Sequence, residues 1–226
     1  MKLKNVSVRY GEVTALSDVN VEFAKGEVTA VLGESGAGKT TLLRVIAGLV
    51  PYEGEKEGAD RVSYLFQEAK LLPNLTAEGN LRFVLAKEDW DKIGDMLKEV
   101  GLEGKEKRYP HELSGGEKQR GAIARARLFP HDMLLLDEPF SSLDLALKRA
   151  LTELFLSLCK ERGETAVFVT HDVHEAALVS RRAVVLKKGK LIADIPVLTP
   201  PKDFFTHAEE ENLLVQALLN DRSEKS

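Results

Sequence analysis

The sequence predicts an α/β fold, a mainly parallel core sheet with helices on both faces, joined by an N-terminal antiparallel portion and a helical portion. Three observations predict it. Residues 33–41 read G-E-S-G-A-G-K-T-T and match the phosphate-binding pattern G-x-x-x-x-G-K-[ST]. The β-branched apolar run Val28–Leu32 precedes this loop, and the helical pattern of Leu42, Leu43, Val45, Ile46 and Leu49 follows it. Two more short apolar runs, Met133–Leu136 and residues 165–170, end on Asp137-Glu138 and His171-Asp172, as buried parallel strands end on a ligand edge.

Taken in order, Leu3, Val6, Val8 and Tyr10 alternate, as do Val19, Val21 and Phe23, so both stretches read as half-buried antiparallel strands around a turn at Gly11-Glu12. After the loop, a helix ends near Gly48, and residues 51–60 read as polar and turn-rich. Residues 62–66 form a strand with Gln67 at its end. Helical periodicity covers residues 76–86 and 91–100, and Trp90 between them is a packing residue. Lys105–Arg108 reads as a solvated charged loop. L-S-G-G-E-K-Q-R at 113–120 opens a helix, with Ser114 at its start. Ser141, Ser142, Leu143 and Asp144 turn into a helix over 145–161. Residues 183–186 and 191–195 flank the hairpin signal Lys188-Gly189, Pro196, Pro200 and Pro201 end the sheet, and a last amphipathic helix spans 207–219 before a polar tail.

The chain has 226 residues, 43% of them hydrophobic, which suits a globular protein with a real core. A net charge of −4 argues against a nucleic-acid-binding surface. The single cysteine, Cys159, reads as a buried structural thiol. No signal-peptide core and no apolar run of membrane-spanning length occur, so any membrane role is expected to come through a partner.

The chemistry follows from residue type. Gly33, Gly36 and Gly38 permit backbone angles that a Cβ forbids, so Glu34, Ser35 and Ala37 can turn their N–H groups toward phosphate oxygens at a helix N-terminus. Lys39 would reach the β- and γ-phosphates, and the Thr40 hydroxyl, beside Thr41, would ligate Mg²⁺. Asp137 would hold the Mg²⁺ shell, Glu138 would polarise the attacking water, and His171 could sense the γ-phosphate. Gln67 could ligate Mg²⁺ or orient water, although such a residue is more often a surface loop residue. Ser114, Gly115 and Gly116 read either as an N-cap with a flexible entry or as a second anion site, which would suggest two chains sharing two nucleotides. Tyr10 could stack on a purine, but from spacing alone it reads as a strand-end core aromatic.

These motifs, in this order over residues 1–195, resemble the nucleotide-binding subunit of an ATP-binding cassette (ABC) transporter. The resemblance implies a single cassette over 1–226, with a helical subdomain near 70–127 inserted in the core and a C-terminal helix and tail at 207–226. It implies ATP and Mg²⁺ as cofactors, and a head-to-tail homodimer in which Leu113–Glu117 reads the nucleotide of the opposite subunit. Asp144 then lies in the loop that crosses between subunits, His171 is the switch histidine, and Tyr10 stacks on adenine. A transmembrane permease contacted by helices near 70–100, an indirect extracytoplasmic substrate-binding protein, no nucleic acid, and a peripheral cytoplasmic position on the inner membrane face are implied as well. Residues 65–76, 137–144 and 170–176 are similar to nitrate/sulfonate/taurine-type importer subunits. The stretch 48–67 is shorter than the family's, so part of the antiparallel sheet is expected to be trimmed, and Glu117 stands where Gln is common. The alternatives are a mechanochemical ATPase of the same fold acting on nucleic acid or ribosomes, and a regulatory module without turnover.

Overall fold

Strands and helices alternate along the chain in the computed structural model, which describes residues 1–141, 143–198 and 211–219. The elements are β1 (Lys2–Tyr10), β2 (Val13–Glu22), β3 (Val28–Leu32), α1 (Lys39–Ile46), β4 (Glu53–Glu57), β5 (Val62–Leu65), α2 (Ala77–Arg82), α3 (Lys92–Glu99), α4 (Gly115–Leu128), β6 (Met133–Asp137), α5 (Leu145–Arg162), β7 (Ala166–Thr170), α6 (Val173–Val179), β8 (Arg182–Lys187), β9 (Lys190–Pro196) and α7 (Glu211–Leu219). Ser142, Pro200, Pro201, the expected helix start at 207–210 and the tail lie outside the described residues.

The core sheet runs β5-β6-β7-β3-β8-β9, parallel except for the β8–β9 hairpin. Its central strands are buried on both faces, which is why they read as continuous apolar runs and not as alternation. Register aligns their C-terminal ends: Leu32 pairs with Thr170, and Asp137 with Val169. The phosphate loop, the acidic pair and His171 therefore leave the sheet along one edge.

The second sheet has the order β2-β1-β4 and is antiparallel. Its apolar face, with Leu3, Val6, Val19 and Val21, packs into one cluster with Leu42, Val45 and Ile46 of α1. β2 reaches the phosphate loop through close backbone approaches. Ser17 N donates to Gly189 O at 2.8 Å, and Gly189 N donates to Ala37 O at 3.0 Å. A Cβ on Gly189 would lie 2.7 Å from Ala15 O, so a side chain there would push the two sheets apart.

The structure corrects three expectations. Residues 51–60 are not only turn: Glu53–Glu57 is β4, so the antiparallel sheet keeps a third strand despite the short segment. This strand has no apolar pattern because it is an exposed edge. Beside its backbone ladder with β1, exposed ion pairs cross the strands, with Lys4 Nζ 3.2 Å from Glu55 Oε2 and 2.7 Å from Glu57 Oε1. β2 begins at Val13, ahead of the alternating 19–23, because the register shifts that interrupt the β1–β2 ladder break the alternation. The helix expected over 76–86 stops at Arg82, and tight turns follow, with Val84 N to Leu81 O at 3.2 Å and Leu85 N to Arg82 O at 3.3 Å. Val84, Leu85 and Trp90 still pack against Leu81, Ile93, Met96 and Leu97. Periodicity reported which side chains face that cluster, and turns satisfy it as well as a helix does. Trp90 is the packing residue expected, with the Arg82 guanidinium 4.5 Å from its ring centroid.

Candidate nucleotide site

β3 delivers the chain into the loop at Gly33, and α1 starts at Lys39. Gly38 occupies the N-cap with φ 104° and no side-chain cap, and a Cβ there would meet Ala15 O at 2.5 Å. Gly36 likewise has φ +79°. Gly33 is needed for a different reason than expected. Its φ is not positive, but a Cβ would lie 2.4 Å from Leu186 O, so space and not backbone angle excludes a side chain. The uncapped first turn of α1 leaves backbone N–H groups without intrahelical partners. Ser35, Gly36, Ala37, Gly38, Lys39, Thr40 and Thr41 line a cleft of about 520 Å³ together with Gln67, Asp137 and Glu138. Tyr10 lines the same cleft and is 45% exposed, so it is not the core aromatic that spacing alone suggests.

Charge converges at the floor of this cleft. Lys39 is buried, and its Nζ donates to Gly33 O at 2.7 Å and Glu34 O at 3.1 Å. The same ammonium lies 3.2 Å from Glu138 Oε1. On the other side of Glu138, His171 Nδ1 lies 3.1 Å from Oε2. Glu138 has φ 46°, a conformation that a non-glycine residue adopts only where its surroundings enforce it. The backbone bond from Glu138 N to Val169 O at 3.0 Å is part of that enforcement.

Asp137 is gripped at both oxygens. Thr40 Oγ1 donates to Oδ1 at 3.1 Å, and Tyr64 Oη donates to Oδ2 at 2.9 Å. Burial, and then the Asp137 charge, push the Tyr64 hydroxyl well above its ordinary pKa, so it remains a donor. Sequence reasoning missed Tyr64. Only the pairing of Tyr64 with Leu135 carries it beside the acidic end of β6. Gln67 Nε2 donates to Ser141 Oγ at 3.0 Å, joining the β5 exit to the turn after β6.

The remaining expected residues do not join this cleft. Ser114, Gly115, Gly116, Glu117 and Asp144 line a second, open cleft of about 440 Å³. Ser114 caps α4: its Oγ accepts from Glu117 N at 3.3 Å, and Ser114 N donates to Glu117 Oε2 at 2.8 Å. Asp144 caps α5 through Leu147 N at 3.0 Å. Leu147 packs so close to α4 that a Cβ on Gly116 would sit 2.8 Å from its Cδ1.

Within the expected solvated loop 105–108, Lys105 stays partly exposed but also makes a specific contact. Its ammonium bonds Glu117 Oε1. That ammonium, followed by the Ser114 N–H, holds the Glu117 carboxyl down at about 2. Lys148 was also missed. It joins α5 to the segment after His171 through Asp172 Oδ2 at 2.8 Å and Glu175 Oε1 at 3.1 Å. His174 is structural, 3.0 Å from Glu211 Oε1. Cys159 is buried, with its thiol pushed up to about 12 by desolvation, so it is the inert thiol expected. A larger cleft of about 790 Å³ lies by Met133, Thr165 and Met1 and contains none of the expected site residues.

Among the described residues, no helix is long and apolar enough to cross a membrane. The ABC transporter family matches residues 16–141. The aliphatic sulfonates import ATP-binding protein SsuB 1 of Paracoccus denitrificans is 40% identical over 215 residues, 93% of this chain and 89% of that protein. The taurine import ATP-binding protein TauB of Escherichia coli is 40% identical over 84% of this chain and 80% of that protein. Among solved structures, the ATP-binding cassette MJ0796, a dimer in a post-hydrolysis state bound to ADP and Pi, superposes with a TM-score of 0.73 at 31% identity, over 87% of this chain and 98% of that one. The cbiO1 protein of Clostridium perfringens, part of a cbiONQ ABC transporter complex, gives 0.77 at 27% identity over 87% and 88%. With a family match across more than half its length, and a phosphate loop and an acidic strand end that share one cleft, the chain belongs to the ABC transporter family as an ATP-binding subunit.

Proposed function

We propose that this ATPase subunit works as a head-to-tail homodimer that holds two ATP molecules, each between the loop cleft of one copy and the Ser114 cleft of the other. The observation that carries the reading is the separation of two anion-suited clefts on one chain, one around Lys39 and one around Ser114. In the loop cleft, Gly33–Thr41 cradles the phosphates and Tyr10 packs on the base. The Lys39 ammonium, now bonded to Gly33 O, Glu34 O and Glu138, is close enough for an arriving phosphate to compete for it. Glu138 is then free to orient and polarise water, with His171 holding its other oxygen.

Thr40 and Asp137 offer hard oxygen donors 3.1 Å apart, a set that fits Mg²⁺, with Gln67 lining the same cleft. Bound there, Mg²⁺ would neutralise charge on the phosphates. The Tyr64 hydroxyl fixes the carboxylate for that task.

The relatives' names and the likeness over 65–76, 137–144 and 170–176 support an importer for a substrate that carries a sulfonate group. It would be fed by an extracytoplasmic binding protein and served by a separate permease that residues 70–100 contact, and the cassette would sit on the inner membrane face. The helical portion near 70–127 acts as the permease-facing insertion of a single cassette. Glu138→Gln tests the chemistry. Steady-state hydrolysis should fall about 100-fold or more, as loss of a general base does, while nucleotide still binds. Hydrolysis at the wild-type rate would remove Glu138 from the reaction.

A further inference from the structure

We propose that Lys105 is a positioning residue for the nucleotide held across the dimer: it neutralises Glu117 so that the start of α4 can receive a phosphate. The inference rests on the shared-site reading above, and it begins from a conflict within the Ser114 cleft. Gly115 and Gly116 present an uncluttered helix N-terminus, where backbone dipoles favour an anion. Glu117 sits in that first turn and lines the same cleft. Its carboxylate already accepts from Ser114 N at 2.8 Å, so it occupies one of the donors and places a negative charge beside the others. A triphosphate entering the cleft would meet that charge.

Lys105 resolves the conflict. Its ammonium bonds the remaining oxygen of Glu117, and the pair is partly shielded, with Glu117 23% and Lys105 42% exposed. The ammonium is delivered by a firm support. Lys105 N donates to Leu102 O at 3.0 Å, and Leu102 is fully buried against α3 and α4. On the far side, Arg108 O accepts from Ala77 N at 2.8 Å and Glu106 O accepts from Glu78 N at 2.9 Å, which ties the loop to the start of α2. The Lys105 loop is therefore anchored to the helical portion at both ends. The carboxylate that Lys105 holds is the one that closes the Ser114 cap, accepting from Ser114 N at 2.8 Å while Glu117 N donates to Ser114 Oγ at 3.3 Å.

The experiment uses the full chain in the Glu138→Gln background, so that bound ATP persists, and measures the dimer dissociation constant at saturating Mg-ATP by analytical ultracentrifugation. Lys105→Met should weaken the dimer about tenfold, because the symmetric assembly contains the affected helix start twice. Lys105→Arg should restore it. Fluorescent-ATP affinity of the monomer should not move, since Lys105 does not line the Lys39 cleft. The deciding comparison adds Glu117→Gln. With no carboxylate to neutralise, Lys105→Met should change the dimer constant less than twofold relative to Glu117→Gln alone. An equal loss with and without the Glu117 carboxylate would overturn the proposal, because it would mark a merely structural role. Undiminished dimerisation of Lys105→Met would overturn it as well. If the Glu138→Gln parent itself fails to dimerise with ATP, the shared-site reading fails first, and the two failures remain distinct.

Discussion

At the scale of single residues, the site is a set of oxygens and nitrogens each held from two sides. Glu138 lies between Lys39 and His171, and Asp137 between Thr40 and Tyr64. Tyr64→Phe removes one grip on Asp137 and leaves the ring, which stacks on Phe66 with centroids 4.3 Å apart. It should cost about 1–2 kcal/mol, the loss of one hydrogen bond to a carboxylate, read as a lower urea midpoint at unchanged slope. An unchanged midpoint would show that the hydroxyl is dispensable. Lys39, Thr40, Asp137 and Glu138 were legible in the sequence because each sits at a fixed offset from a glycine pattern or an apolar run. Tyr64, Lys105 and Lys148 were not legible. Their partners Asp137, Glu117 and Asp172 lie 73, 12 and 24 residues away, and nothing local distinguishes them from other polar residues.

At the scale of elements, the ends of α4 and α5 are tied by a buried charge cluster. Both ring nitrogens of His131 face acceptors, Nε2 to Glu164 Oε1 at 2.8 Å and Nδ1 to the Phe129 carbonyl. Only the imidazolium can donate at both. Burial opposes the charge, but the bonds to Glu164 and Phe129 O outweigh it and raise the His131 pKa. Because the folded pKa is the higher one, the stabilisation is fully present below the unfolded value, about 6.5, and is lost as pH rises through the folded value. His131→Gln should therefore melt about 2–4 °C below the parent near pH 6, and the gap should narrow on going to about pH 9 in a thermal scan. A gap that widened with pH would contradict the charged assignment. Elements with apolar signatures, such as β3, β6, β7 and α5, were legible. β4 was not, since Glu53–Glu57 holds no apolar residue and shows itself as a strand only by pairing with β1.

For the whole molecule, topology turns a linear order of motifs into one working edge. Parallel register aligns the ends of β3, β6 and β7, and the antiparallel sheet braces the loop through Gly38 and Gly189. In the proposed dimer, the Ser114–Asp144 cleft is the half-site that the partner's phosphate loop would complete. Fold class and motif order were readable because strand ends and glycine loops are local signals. The second anion site was suggested by Ser114 and its two glycines, but the wall that Asp144 and Leu147 give it was not readable, because it arises only when α4 and α5 pack through Gly116 and Leu147. The most direct test is light scattering on the Glu138→Gln protein with and without Mg-ATP. The mass should double from 25.0 kDa with ATP, and the dimer should carry two nucleotides. A particle that stays at 25.0 kDa with ATP bound would contradict the proposed dimer.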